Sequence, residues 1–330
     1  MNQSTTVQRP LPEAQHREPC TAHALLPSED SHRIPVYLWQ QDINPDSALG
    51  VIHINHGMAE HGLRYQALAT NLNAAGYIVV AHDHRGHGPY TKASERGHYA
   101  DSNGWKKVTR DIGVVQQWIA DKFPQLRCYL LGHSMGSFIA QGYLVGDGPK
   151  STISGLILSG SNRDQKLKLA ALRSVAASAR GWNGPRKTSR VIQALTFGAF
   201  AKTVTGAKTE FDWLSQNESS VSDYIKDPFC GFDCTNQLWC DLGHGLNQLQ
   251  NKRALTRIPS HLPILIISGD EDPVGEFGRG PRRLASAYRE TGHTDVSCVV
   301  MPGMRHEPFN EARREETIKA LLNWLGRHTA

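Results

Sequence analysis

What most limits how this chain can fold is the alternation of short, continuously apolar segments with longer amphipathic ones. IPVYLW near residue 35, VIHIN (51–55), YIVVAH (77–82), CYLLG (128–132), GLILSG (155–160), ILIISG (264–269) and VSCVVM (296–301) are rich in branched residues and read as strands. A strand that is apolar at nearly every position needs cover on both faces, as in parallel sheets. Helices are expected between them, at roughly 64–75, 103–122, 135–146, 279–291 and 310–326. In the last, Ile318, Leu321, Leu322 and Leu325 fall at i, i+3, i+4 and i+7, a stripe suited to packing on a sheet. The order implies an α/β fold with a doubly wound, mainly parallel sheet.

The rhythm breaks between residues 161 and 258, which have few strand-like runs and read as short helices and loops inserted into the sheet domain. The expected organisation is therefore a loose arm over 1–20, a core built from 21–160 and 259–330, and a helical insertion over 161–258. No run approaches the roughly 18 uncharged apolar residues of a membrane-spanning helix. The first twenty residues lack the apolar stretch of a secretory signal, so a cytoplasmic location is the expectation.

Gly132-His133-Ser134-Met135-Gly136 is a G-x-S-x-G sequence placed between a strand and a helix. In that setting the serine sits on a sharp turn, and side chains two residues to either side would collide with neighbouring backbone. The turn exposes the hydroxyl and aims the following helix N-terminus at a developing oxyanion. Ser134 is thus a candidate nucleophile, but a serine hydroxyl needs a base. Its partners are expected later, in the order acid then histidine. Strand 264–269 ends in Asp270, Glu271 and Asp272, and strand 296–301 is followed by His306, one of sixteen histidines. Both lie just past the carboxyl ends of strands, where sites form in open α/β sheets. Asp270 and Asp272 compete for the role of acid.

Taken together, HGMAEHGLRY (56–65), HDHRGHG (82–88), GHSMGS (132–137), GDEDPVG (269–275) and GMRHEPFNE (303–311) resemble the monoacylglycerol lipase and lysophospholipase group of α/β hydrolases, often grouped with the serine aminopeptidases. The likeness runs from residue 34 onward in the family's order. It implies the α/β-hydrolase fold with a helical cap, no cofactor, and a triad of Ser134, Asp272 and His306. It favours Asp272 because the family's acid stands three residues after the glycine. It also implies an oxyanion hole formed by the backbone N–H groups of Met58 and Met135, with His56 and Gly57 beside the substrate. Ser137 stands where the family commonly has glycine, and Pro89 follows HDHRGHG in place of a small polar residue.

Within 211–232, Trp213 and Tyr224 are candidate substrate-binding residues, with Phe229 and Phe232 as further pocket aromatics. The implied reaction is hydrolysis of carboxylic esters of medium or long acyl chains, monoacylglycerols or lysophospholipids, through an acyl-enzyme. Aminopeptidase or amidase, thioesterase and acyltransferase activities use the same triad, and a non-catalytic receptor can be built on the same fold. A peptidase would need acids near the pocket; Asp212, Glu218 and Asp223 form no obvious cluster. Dehalogenase and epoxide-hydrolase chemistry need a carboxylate where Ser134 stands.

Residues 161–190 carry eight Lys and Arg against Asp164 alone, interleaved with Leu167, Leu169, Leu172 and Val175. Such a stretch reads either as a solvated surface or as an amphipathic helix suited to peripheral contact with an anionic membrane. Net charge is only +5 and no nucleic-acid motif is present. His82, His84 and His87 with Asp83 raise the question of zinc, but Gly86 stands where a metallo-β-lactamase-type pattern needs aspartate. Cys230, Cys234 and Cys240 fit no common zinc spacing and read as buried thiols. No metal is expected.

Overall fold

The computed structural model describes residues 20, 22–41, 43–147, 151–163 and 166–329. Apart from Cys20, the expected N-terminal arm lies outside the described residues, as does Asp164.

Eight strands form one sheet: β1 (Ala22–Pro27), β2 (Arg33–Trp39), β3 (Gly50–Asn55), β4 (Tyr77–His82), β5 (Cys128–His133), β6 (Ile153–Ser159), β7 (Ile264–Gly269) and β8 (Val296–Met301). Their spatial order is β1-β2-β4-β3-β5-β6-β7-β8. The first two junctions are antiparallel and the remainder parallel. Strand β1 was not expected. It is an edge strand, half exposed, and its AHALLP lacks the continuous branched character of the others.

Alternation explains why the central strands are apolar throughout. Leu130, Leu156, Leu158, Ile264 and Ile266 pack on one face, and Leu131, Ile157, Leu265 and Ile267 on the other. The first face is covered by α2 (Gly104–Lys122), α3 (Met135–Asp147) and α10 (Arg279–Glu290), the second by α1 (Gln66–Ala74) and α11 (Arg314–His328). In α11, Ile318, Leu321 and Leu325 are buried as the spacing predicts; Leu322 is half-buried and Trp324 fills the core beside them.

Between β6 and β7 the chain forms α4 (Lys166–Asn183), α5 (Arg190–Leu195), α6 (Phe197–Ala201), α7 (Glu218–Lys226), α8 (Asn236–Leu249) and α9 (Lys252–Leu255). Helix α8 is part of the main core: Leu238, Leu242 and Leu246 pack with Ile139 and Leu144 of α3. Trp213, Leu214 and Tyr224 form a separate small cluster with Phe197, Phe200 and Phe211. No helix among the described residues is long and apolar enough to cross a membrane.

Candidate active site

Strand β5 ends at His133, and Ser134 follows with φ of 49°, in the left-handed region. A non-glycine residue held there costs of order 1 kcal/mol and persists only when its surroundings over-determine it. Here the Ser134 N–H donates to Ser159 O at 2.8 Å, and α3 begins at the next residue. A side chain on Gly132 would come within 2.6 Å of Gly136 O, and one on Gly136 would collide with the carbonyl oxygens of Asn55 and His56. Both glycines are therefore demanded by backbone crowding. Ser137 uses its hydroxyl: Oγ donates to Ser134 O at 2.6 Å and accepts from Ser161 Oγ at 2.7 Å, pinning the turn from behind.

His306 lies in the loop after β8, 2% exposed, with Nδ1 donating to Asp272 Oδ1 at 3.0 Å. Asp272 is fully buried and also accepts from Ser268 Oγ at 3.1 Å and Val274 N at 2.9 Å. Such bonding holds a carboxylate in one orientation and stabilises a cation forming on the imidazole. Burial works against protonated His306, yet Asp272, with the charges of Glu307 and Glu60, more than offsets it and the imidazole's pKa lies above its usual 6.5. Asp270 is exposed and accepts from Gly303 N at 2.7 Å, so it ties a turn and takes no part with His306.

Gly57 approaches the serine from β3: a Cβ built on it would lie 3.3 Å from Ser134 Cβ. Met58 follows, half-buried, and its loop is held from both sides. The Gly57 N–H donates to the Glu60 carboxylate, while Ala59 O accepts from Tyr224 Oη and from Gly231 N, both at 2.9 Å. Met135, the other expected donor, opens α3, so its N–H has no carbonyl a turn earlier in that helix. Gly57, Met58, Ser134, Trp213, Tyr224 and His306 border one space of about 30 Å³. His56 does not border it. Its Nδ1 donates to Gly57 O at 2.7 Å and its Nε2 accepts from His84 N at 3.0 Å, so this ring, expected beside the substrate, anchors the loop from beneath.

Three residues of the site were not singled out from the sequence. Arg64 is half-buried and pairs with Glu60 at 2.5 Å and, through both terminal nitrogens, with Glu307 at 2.8 and 3.0 Å. Its guanidinium also lies 4.8 Å over the Tyr224 ring. Burial would raise the Glu307 carboxyl, but the Arg64 charge holds it down at about 2. The network joins the loop at Met58 to the loop at His306. The i, i+4 spacing of Glu60 and Arg64 and the Glu directly after His306 were visible signals for it.

A larger cavity of about 400 Å³ opens from Ser134 into the helices between β6 and β7. Leu172, Val175, Phe197, Phe200, Trp213 and Trp239 give it apolar walls. Trp213 borders both spaces and packs on His306, with ring centroids 5.2 Å apart. Asp212 and Glu218 border a different surface hollow, and Asp223 is exposed; none borders the Ser134 cavities.

Among the described residues, His61, Asp227 and Cys230 form the one grouping whose ligand-capable atoms lie within 4.8 Å of one another. His82, His84 and His87 form no such grouping; they pack tilted or edge-on with His53 and His56 in a buried row. All six cysteines are free thiols, with Cys234 buried and Cys230 and Cys240 half-buried.

A largely parallel eight-stranded sheet, with a serine on the turn between a central strand and its helix and a buried Asp–His pair past later strand ends, defines an α/β hydrolase. Residues 46–313 match the hydrolase family described as "Serine aminopeptidase, S33", and the chain belongs to that family. It is 29% identical over 298 residues to a monoacylglycerol lipase of Mycolicibacterium smegmatis, covering 90% of this chain and 94% of the relative. It is 26% identical over 283 residues to phospholipase YtpA of Bacillus subtilis, covering 83% and 94%. The crystal structure of a thermostable carboxyl esterase from Bacillus coagulans superposes with a TM-score of 0.84 at 26% identity, over 94% of this chain and 99% of that one.

Proposed function

We propose that the chain hydrolyses carboxylic esters of medium or long acyl chains, of the monoacylglycerol or lysophospholipid type, with Ser134 as nucleophile. The observation that carries this reading is the juxtaposition of Ser134 with an apolar cavity of about 400 Å³ on one side and His306, bonded to Asp272, on the other. The chain is a carboxylic ester hydrolase, and the acyl chain is assigned to the apolar cavity. Ser134 Oγ attacks the ester carbonyl while His306 Nε2 takes its proton. The N–H groups of Met58 and Met135 receive the oxyanion. His306 then protonates the departing alcohol, and water activated by the same nitrogen cleaves the acyl-enzyme. No cofactor enters these steps.

Esters are favoured over peptides by the state of the nearby acids. Glu60 and Glu307 border the small space at Ser134, but both are paired with Arg64 and neither is left to hold a substrate's free amine.

We further infer that α4 and α5 meet anionic lipid surfaces. Leu167 and Trp182 are 85% and 91% exposed on α4, with Arg173 and Arg180 exposed on the same helix. Val191 and Leu195 are exposed on α5, and Leu195 also borders the acyl cavity. Apolar side chains flanked by cations suit an interfacial helix.

The test compares wild type with Ser134→Ala on p-nitrophenyl esters of graded length, with monoacylglycerol and lysophospholipid in parallel. Turnover should rise with acyl length in wild type and fall on the order of 10⁶-fold in the variant. Equal turnover in both proteins would refute Ser134 as nucleophile.

A further inference from the structure

Away from Ser134, an open groove of about 1000 Å³ runs between the start of α4, the end of α8 and α10. Its charged lining is Arg163, Lys166, Lys252, Arg282 and Arg283, against a single carboxylate, Glu290. Glu290 pairs with Lys252 at 2.6 Å, and Arg283 turns toward Glu276 at 3.1 Å, outside the groove. Three cations are left without a carboxylate among the described residues. Arg163 directs its terminal nitrogens to the carbonyls of Leu249 and Gln250, at 2.9 and 2.7 Å. Arg282 gives one nitrogen to Gly278 O at 3.1 Å, and Lys166 is exposed. Carbonyls satisfy these donors without neutralising the charge, so like charges converge in a concave site and raise the local concentration of anions.

We propose that this groove binds a phosphate-bearing anion, either a free phosphate ester or the headgroup of an anionic lipid. A lone carboxylate would leave two of the three cations uncompensated. A phosphate monoester carries close to two negative charges and several acceptor oxygens, which match guanidinium forks and an ammonium. The groove also shares a wall with the acyl cavity, because Leu169 borders both. Arg283 shares Glu276 with Lys168, which lies 3.0 Å from it at the rim of that cavity. An anion that draws Arg283 into the groove therefore weakens a contact at the entrance used by the acyl chain. The inference does not depend on the role of Ser134.

The experiment titrates the purified full chain with sodium pyrophosphate by calorimetry at low and high salt. In parallel it measures cosedimentation with phosphatidylcholine vesicles with and without phosphatidylglycerol. Saturable binding at low salt is expected, weakened about tenfold or more in Lys166→Glu/Arg282→Glu and by added salt. Turnover of a short p-nitrophenyl ester in the same variant should stay at the wild-type level, which separates a lost groove from a lost fold; Arg282→Ala serves if the double variant does not fold. Loss of vesicle binding together with pyrophosphate binding identifies the lipid headgroup as the source. Loss of pyrophosphate binding alone identifies a free phosphate ester. The proposal is overturned if pyrophosphate does not bind saturably, or if it binds the variants as tightly as wild type.

Discussion

Helices α8 and α4 both lie between β6 and β7, yet they are held very differently. Helix α8 buries ten of its 14 residues, among them Leu238, Leu242 and Leu246 against α3. Helix α4 buries three of 18, Leu169, Ala176 and Ala179, and leaves Leu167 and Trp182 almost fully exposed. One packs into the framework beneath Ser134, while the other covers the apolar cavity beside it with Leu169, Leu172 and Val175. The same division runs through the site. Asp272, His306, Glu60 and Glu307 are buried and Arg64 is half-buried between the last two, and each is held by at least one partner. A buried floor under a less buried cover suits the lipid-ester hydrolysis proposed above.

The sharpest way to break the comparison is on the floor. Asp272→Asn keeps the shape but removes the charge that orients and supports the His306 imidazole; kcat on a short ester should fall about 10⁴-fold with little change in KM. A fall of less than tenfold would show that His306 does not rely on Asp272. Next in size, Arg64→Met leaves Glu60 and Glu307 buried without their counter-charge, and urea unfolding should register a loss of about 3–5 kcal/mol. A smaller loss accompanied by normal turnover would mean that the network is not part of the framework.

Acid should attack the floor before the cover. Burial lowers His82 to about 3, and His87 and His133 to about 4, from an ordinary 6.5. Below pH 6.5 the unfolded chain takes up protons that the folded chain refuses, so stability falls as the pH drops from 6.5 toward 4. Each of these histidines should account for about 1 kcal/mol by pH 5.5. His306 has the opposite sign: raised above 6.5, it adds stability below that pH and loses it as pH rises through its folded value. Because the base must be neutral, kcat/KM for a short ester should decline on the acid side with a midpoint above 6.5. Denaturation midpoints and a pH–rate profile on one preparation measure both effects.

The smallest effect on stability should come from the cover. Leu167→Ser/Trp182→Ser removes exposed surface and should shift unfolding by no more than about 0.5 kcal/mol. Binding to anionic vesicles should weaken in the same variant, while short-ester turnover stays constant. An unfolding loss above 2 kcal/mol would show that α4 is framework after all.

Much of this was legible along the chain. The central strands announced themselves because both faces are covered, so nearly every position is apolar and no alternation hides them. The turn at Ser134 was readable because backbone crowding admits only glycine at 132 and 136. Strand β1 was missed since an edge strand carries a weaker pattern. His56 was assigned to the substrate by its motif, but hydrogen bonds to Gly57 and His84 place its ring beneath the loop. Glu60, Arg64 and Glu307 stood inside quoted motifs, yet nothing local says that Arg64 bonds a carboxylate 243 positions away.

By itself the sequence determined the α/β order of elements and the serine turn, because each rests on local geometry or on burial periodicity. The resemblance favoured Asp272 over Asp270, and tertiary structure supplied the physical reason. Asp270 and Asp272 lie in one turn with the same chemistry; they part because one faces the Gly303 N–H at the surface and the other the imidazole inside. It also decided that the two acids beside Ser134 share one guanidinium, and that basic residues from three separate segments line one groove. Such properties depend on distances across the fold, where Coulomb energy and hydrogen bonding act without regard to separation along the chain.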